Sequence, residues 1–164
     1  HKISDLYVFE VIGNDQLKTN WSENFQDKNF DIKDYSINPK LTYFSGENNR
    51  INFIYKLSNI SNLIGNQESL KQQNFGISLF LNQKEKRGFI SEFNYYKNEF
   101  NGELNSVVSY VMMNGLQGGE NYTWSFKFQR KLSKLLDINF IYLGRKSNSL
   151  RTIHNGSIQL KAIF

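Results

Sequence analysis

The sequence predicts an all-β fold: an antiparallel up-and-down meander of about ten strands, closed wholly or in part as an outer-membrane barrel. Three observations predict it. Apolar and polar residues alternate with a period of two along most of the chain. Asn, Gly and Ser clusters fall between the alternating runs, where turns are needed. The C-terminal segment is itself an alternating strand that stops on Phe164. A sandwich of two stacked sheets would show the same alternation with its apolar faces turned inward, so a soluble cell-surface β-sandwich that binds carbohydrate or a protein partner stands as the alternative.

The terminal segment places Gly156, Ile158, Leu160, Ala162 and Phe164 on one face and Ser157, Gln159 and Lys161 on the other. A last strand of this kind must pair with a neighbour, and in a barrel it turns its apolar side to lipid. These five residues are the candidate terminal strand and assembly signal, by analogy with outer-membrane proteins that end on an aromatic residue.

The strongest internal run is Tyr122 to Gln129. Tyr122, Trp124, Phe126 and Phe128 share one face; Thr123, Ser125, Lys127 and Gln129 share the other. The four aromatics are candidates to face lipid or a partner protein, with Tyr122 and Trp124 suited to an interfacial girdle. Ile138, Phe140 and Tyr142 continue the pattern, as do Phe89, Ser91, Phe93 and Tyr95. Phe75, Ile77, Leu79 and Leu81 form another set, and Ile51, Phe53, Tyr55 and Leu57 one more. Leu41 and Tyr43 belong to a strand entered after Pro39.

The expected strands cover roughly 4–12, 16–26, 37–46, 50–58, 73–83, 87–98, 104–113, 121–132, 136–145 and 151–164. One feature opposes a simple barrel. Counted back from a periplasmic C-terminus, ten strands put the long 59–72 connection on the side where barrels keep their turns short. That connection contains Leu63, Ile64 and Leu70 and can hold a helical turn.

Composition fits this reading. The 164 residues suit a single domain, and 14 Phe and 9 Tyr favour strands over helices. No stretch of about eighteen apolar residues offers a transmembrane helix, while a spanning strand needs only alternate apolar positions. The absence of cysteine removes a disulfide framework and thiolate metal sites. The net charge of +5 is scattered along the chain with no basic stripe, so nucleic acid is not an expected partner. His1 at the start, with no initiator Met or signal peptide, is expected of the C-terminal part of a longer chain.

No reaction is expected either. His154 lacks a nucleophile elbow and reads as structural or as closing a hairpin. Glu92, Glu99, Glu103 and Glu120 read as ordinary surface acids. Asp27, Asp31 and Asp34 do not follow the calcium-loop pattern, and Gly115 to Gly119 does not follow the phosphate-loop spacing. No catalytic residue, metal or cofactor is assigned. Gly144-Arg145-Lys146 reads as a solvated loop.

From Asn105 onward the chain carries a further set of residues: Asn105-Ser106, Tyr110, Met112, Gly115-Leu116-Gln117, Gly119 and Asn121-Tyr122-Thr123-Trp124. Tyr142, Gly144-Arg145-Lys146-Ser147, Ile153-His154, Gly156-Ser157, Gln159-Leu160, Ala162 and Phe164 complete it. In these it resembles the C-terminal region of large cell-envelope proteins of Bacteroidota, the Flavobacterium-like bacteria, most of uncharacterised function. Asp34-Tyr35, Pro39 and the Tyr43 strand resemble it more weakly. The departures are Val107 and Gly118 in place of Pro, Val111 and Asn114 in place of acids, and Asn155 in place of Thr. The resemblance implies a β-rich fold at the bacterial outer membrane or cell surface, with membrane lipid and envelope proteins as partners. It implies no activity.

Overall fold

The computed structural model describes residues 6–46, 48–83, 87–133, 135–148 and 150–162. They form one antiparallel sheet of eight strands in sequence order. The strands are β1 (Leu6–Asn20), β2 (Phe30–Ser45), β3 (Asn49–Asn62), β4 (Ser69–Gln83), β5 (Arg87–Asn101), β6 (Gly119–Ser133), β7 (Leu136–Ser147) and β8 (Ile153–Ala162). A 3-10 turn, Gln26–Lys28, precedes β2, and one helix, α1 (Val107–Met112), lies between β5 and β6. β1 and β8 are the two edges, and among the described residues no pairing joins them.

The count is eight strands where the sequence pattern predicts ten, for two physical reasons. The expected strands 4–12 and 16–26 are one strand. Gly13-Asn14-Asp15 reads as a turn, yet its ladder with β2 runs unbroken from Leu6 opposite Phe44 to Asn20 opposite Phe30. The expected strand 104–113 contains α1 instead. Ser106 caps it, its hydroxyl accepting from the Ser109 N–H at 3.0 Å. The helix gives way at Asn114 and Gly115, both at positive φ. Val108, Val111 and Met112 have the i, i+3, i+4 spacing of a helix as well as part of a strand alternation.

β2 also begins earlier than expected, so Pro39 lies inside it. The β2–β3 pairing passes from Ile37–Leu57 to Lys40–Ile54 and skips Pro39, which has no N–H to give.

Eight strands also remove the parity problem. The short connections that follow β2, β4 and β6 lie at one end of the sheet, the end where Ala162 pairs with Leu136. The connections 21–29, 63–68, 102–118 and 148–152 lie at the other. The expected long connection 59–72 shortens to 63–68, contains no helix, and joins the long-loop end. Asn101-Gly102, a residue pair typical of tight hairpins, opens the longest loop.

Candidate functional site: two unlike faces of one sheet

The register sorts the side chains into two sets. One row across the sheet reads Phe9, Leu41, Phe53, Ile77, Phe93, Trp124, Gly144, His154. The adjacent row, on the opposite face, reads Val8, Thr42, Asn52, Ser78, Glu92, Ser125, Leu143, Asn155. Across β2 to β6 the polar face is the buried one, while β1 and β8 are exposed on both faces at nearly every residue. Asn52 is 6% exposed, while Phe53 beside it is 47% exposed. Thr42, Ser58, Gln72 and Ser78 are buried, and Phe75, Ile77 and Phe93 are exposed. No second sheet covers the polar side, the inner face, among the described residues; its side chains cover one another across the middle strands, and the 102–118 loop covers one end. A soluble single-layer sheet would be expected to bury the other face.

Hydrogen bonds satisfy much of the inner face. The Thr42 hydroxyl donates to Asn52 Oδ1 at 2.9 Å, and Asn52 Nδ2 donates to Ser78 Oγ at 2.9 Å. These links bind β2, β3 and β4 side by side. Glu92, read from sequence as a wet-face acid, lies in the same row and accepts from Ser125 Oγ at 3.3 Å. Glu10 and Lys40 pair at 3.0 Å between β1 and β2. Asp34 Oδ1, Asn38 Oδ1, Ser58 Oγ and Asn74 Oδ1 are buried without a protein partner. Such a face suits water, which satisfies orphaned acceptors at small cost.

A lid closes the inner face at the long-loop end. Val108, Met112, Met113 and Leu116 from the 102–118 loop pack with Ile32, Ile60 and Leu70 of the sheet, and this is the apolar core among the described residues. Fully buried Asn121 fixes the loop. Its Oδ1 accepts from the Gln117 N–H at 3.0 Å, and its Nδ2 donates to the Gln117 carbonyl at 2.8 Å. Asn98 Nδ2 donates to the same carbonyl at 2.9 Å, and Gln72 Nε2 donates to Asn98 Oδ1 at 2.9 Å. The lid was not foreseen from the sequence. Its signals are the capping Ser106 and the pair of positive-φ residues Asn114 and Gly115.

The sequence-nominated aromatics come together on the outer face. Tyr122, Trp124, Phe126 and Phe128 lie along β6, and Phe126 stacks on Tyr142 of β7 at 5.9 Å between ring centroids. Tyr95 and Tyr122 approach to 5.2 Å, and Tyr55 and Phe75 to 4.4 Å. Gly156, Ile158, Leu160 and Ala162 share the outer face of β8, beside Tyr142, Phe140, Ile138 and Leu136. Phe164 lies outside the described residues. His154 also faces outward, with Nδ1 at 2.7 Å from the Tyr142 hydroxyl.

Asp31 and Asp34 lie within β2 and not in a connection. Gly115 and Gly119 have positive φ, as a tight loop requires, while Gly118 does not. Among the described residues no group of three or more His, Cys, Asp or Glu side chains could hold a metal. No described helix is long and apolar enough to cross a membrane, which leaves crossing by strands untouched. Compared with protein-family models, with curated proteins and with solved structures, the chain has no match.

Proposed function

We propose that this chain is a non-catalytic wall segment of an outer-membrane β-barrel, serving as an anchor or component of a bacterial cell-envelope assembly. The observation that carries the reading is the inverted polarity of the middle strands: exposed Phe, Ile, Leu and Tyr on the outer face, buried amides and hydroxyls on the inner one. Lipid outside and water inside satisfy both faces at once.

The slant of the apolar band supports it. On β2 the outward apolar run is Tyr35, Ile37, Pro39, Leu41 and Tyr43; on β8 it is Gly156, Ile158, Leu160 and Ala162. Following the pairing from Tyr43 leads through Ile51, Leu79, Ser91, Phe126 and Tyr142 to Gly156. The last residue of the band on β2 is therefore level with the first on β8. The band centre moves about seven residues over six steps, roughly 1.2 residues per strand. With about 3.4 Å per residue and about 4.8 Å between strands, the band runs about 40° off the perpendicular to the strands. A band lying flat in a bilayer then requires strands tilted by that angle, within the range of membrane barrels. The slant supports closure, since any barrel tilts its strands by about 35–45°, and the exposed outer face supports lipid.

Short turns at the β8 end and longer loops at the other match the periplasmic and external sides of such barrels. The edges β1 and β8 are where the wall is completed, because hydrocarbon does not tolerate unpaired backbone groups. The resemblance to Bacteroidota envelope proteins agrees with this setting.

The test is refolding of the purified chain with lipid vesicles followed by flotation. The reading expects co-flotation that resists carbonate and high-salt washes, with strand content retained on warming in mild detergent. A monomer that is soluble and folded without detergent, and that stays out of the vesicles, would overturn it.

A further inference from the structure

We infer that Arg87 and Arg130 form a binding site for the phosphate headgroup of an anionic phospholipid at the short-turn margin of the apolar band. The inference rests on the membrane-wall reading and adds a ligand to it. Arg87 of β5 and Arg130 of β6 are directly opposite in the ladder. Both are exposed, and both belong to the outward phase of their strands. The next row toward the middle of the sheet is Leu81, Phe89, Phe128, Phe140 and Ile158. Ile138 and Leu160 continue the arginine row itself. Two exposed arginines thus occupy directly opposite ladder positions at the margin of the apolar rows of β5 and β6, with only Leu132 of β6 further toward the turn.

Like charges placed directly opposite each other repel, and an unrelieved pair is a poor choice for a ladder. Neither arginine has a carboxylate partner among the described residues. The acids on the same face of β5 and β6, Glu99 and Glu120, lie at the far, long-loop end, where Glu99 is opposite Lys71 and Glu120 opposite Lys97. Arg50, at the same end of the sheet, lies over the Phe80 ring at 4.1 Å and belongs to the inner face. What the Arg87–Arg130 pair lacks is an anion on the lipid side. A phosphodiester fits: its oxygens accept from two planar forks at once, and its acyl chains lie along the Phe89–Phe128 row. Glu85 lies outside the described residues.

The experiment uses the full chain refolded in nonionic detergent micelles at low salt. It is titrated with phosphatidylglycerol, with phosphatidylcholine as the neutral comparator and inorganic phosphate as the headgroup without chains, and binding is read by native mass spectrometry. The wild-type chain is expected to hold phosphatidylglycerol about tenfold more tightly than phosphatidylcholine. R87Q/R130Q should remove that preference. K71Q/K97Q removes the same charge from the long-loop end and should retain it. If R87Q/R130Q does not fold, R87Q and R130Q singly should each lose about threefold. Equal binding of the two lipids by wild type, an equal loss in K71Q/K97Q, or competition by inorganic phosphate at the same concentration as the lipid would each overturn the site. Failure of the chain to enter vesicles at all is a separate result, read by flotation, and would remove the wall reading with it.

Discussion

Trp124 and Gly144 face each other across the β6–β7 ladder, and the indole lies flat over the bare backbone of the glycine. A Cβ at position 144 would overlap Cε2, Nε1 and Cζ2 of the indole. Glycine is required here by this close approach and not by its backbone angles. The pair covers a gap in the outer row with an aromatic plane, a device that also fixes register.

Gly144→Val should therefore lift the indole off the sheet. The expected cost is about 1–3 kcal/mol of stability, the range for overpacking. A shift in Trp124 fluorescence, followed in a Trp21→Phe background, checks it; unchanged emission and stability would show that the ring moves freely.

The two faces should respond oppositely to charge. Ile77→Arg puts a cation in the middle of the outer band and should cost about 2–4 kcal/mol in vesicles. Gln129→Arg, an exposed position on the inner face, should change stability by less than about 1 kcal/mol. Denaturant titration of the vesicle-inserted chain measures both, and equal effects would contradict the assignment of the faces.

Asn121→Ala removes both bonds to Gln117, leaving the half-buried Gln117 N–H without its acceptor while the carbonyl keeps only the bond from Asn98 Nδ2. A loss of about 1–3 kcal/mol is expected. Limited proteolysis should then cut first within residues 102–118, while the eight-strand sheet persists. Cleavage elsewhere would mean that Asn121 does not hold the lid.

Deleting Phe164 should slow assembly into membranes in cells while leaving spontaneous insertion into pure lipid vesicles nearly unchanged. This follows from the proposed wall, in which Phe164 serves recognition by assembly machinery. Normal insertion in cells after the deletion would count against that role.

Period-two alternation made most of the sheet legible. It placed Tyr122, Trp124, Phe126 and Phe128 on one face, and the same for Gly156, Ile158, Leu160 and Ala162. It could not tell which face is buried, because a sandwich and a barrel wall share one pattern; that needed the exposure of Phe53 against Asn52. Local turn chemistry misled at Gly13-Asn14-Asp15, where a full ladder with β2 outweighs the turn preference. Strand periodicity misled at 104–113, where a six-residue helix is held by its cap and by a core built from β2, β3 and β4. The amide clamp on Gln117 joins residues from three separate strands and loops, so no local pattern announces it.

The central claim is that lipid meets the Phe53 side of the sheet and water the Asn52 side. The chain has no cysteine, so single cysteines at Phe53, Ile77, Asn52 and Ser78 can each carry an environment-sensitive fluorophore without background. In vesicles, labels at 53 and 77 should be quenched by brominated lipid and labels at 52 and 78 only by an aqueous quencher. Labels at 53 and 77 that see water alone, or a reversal of the two pairs, would contradict the account.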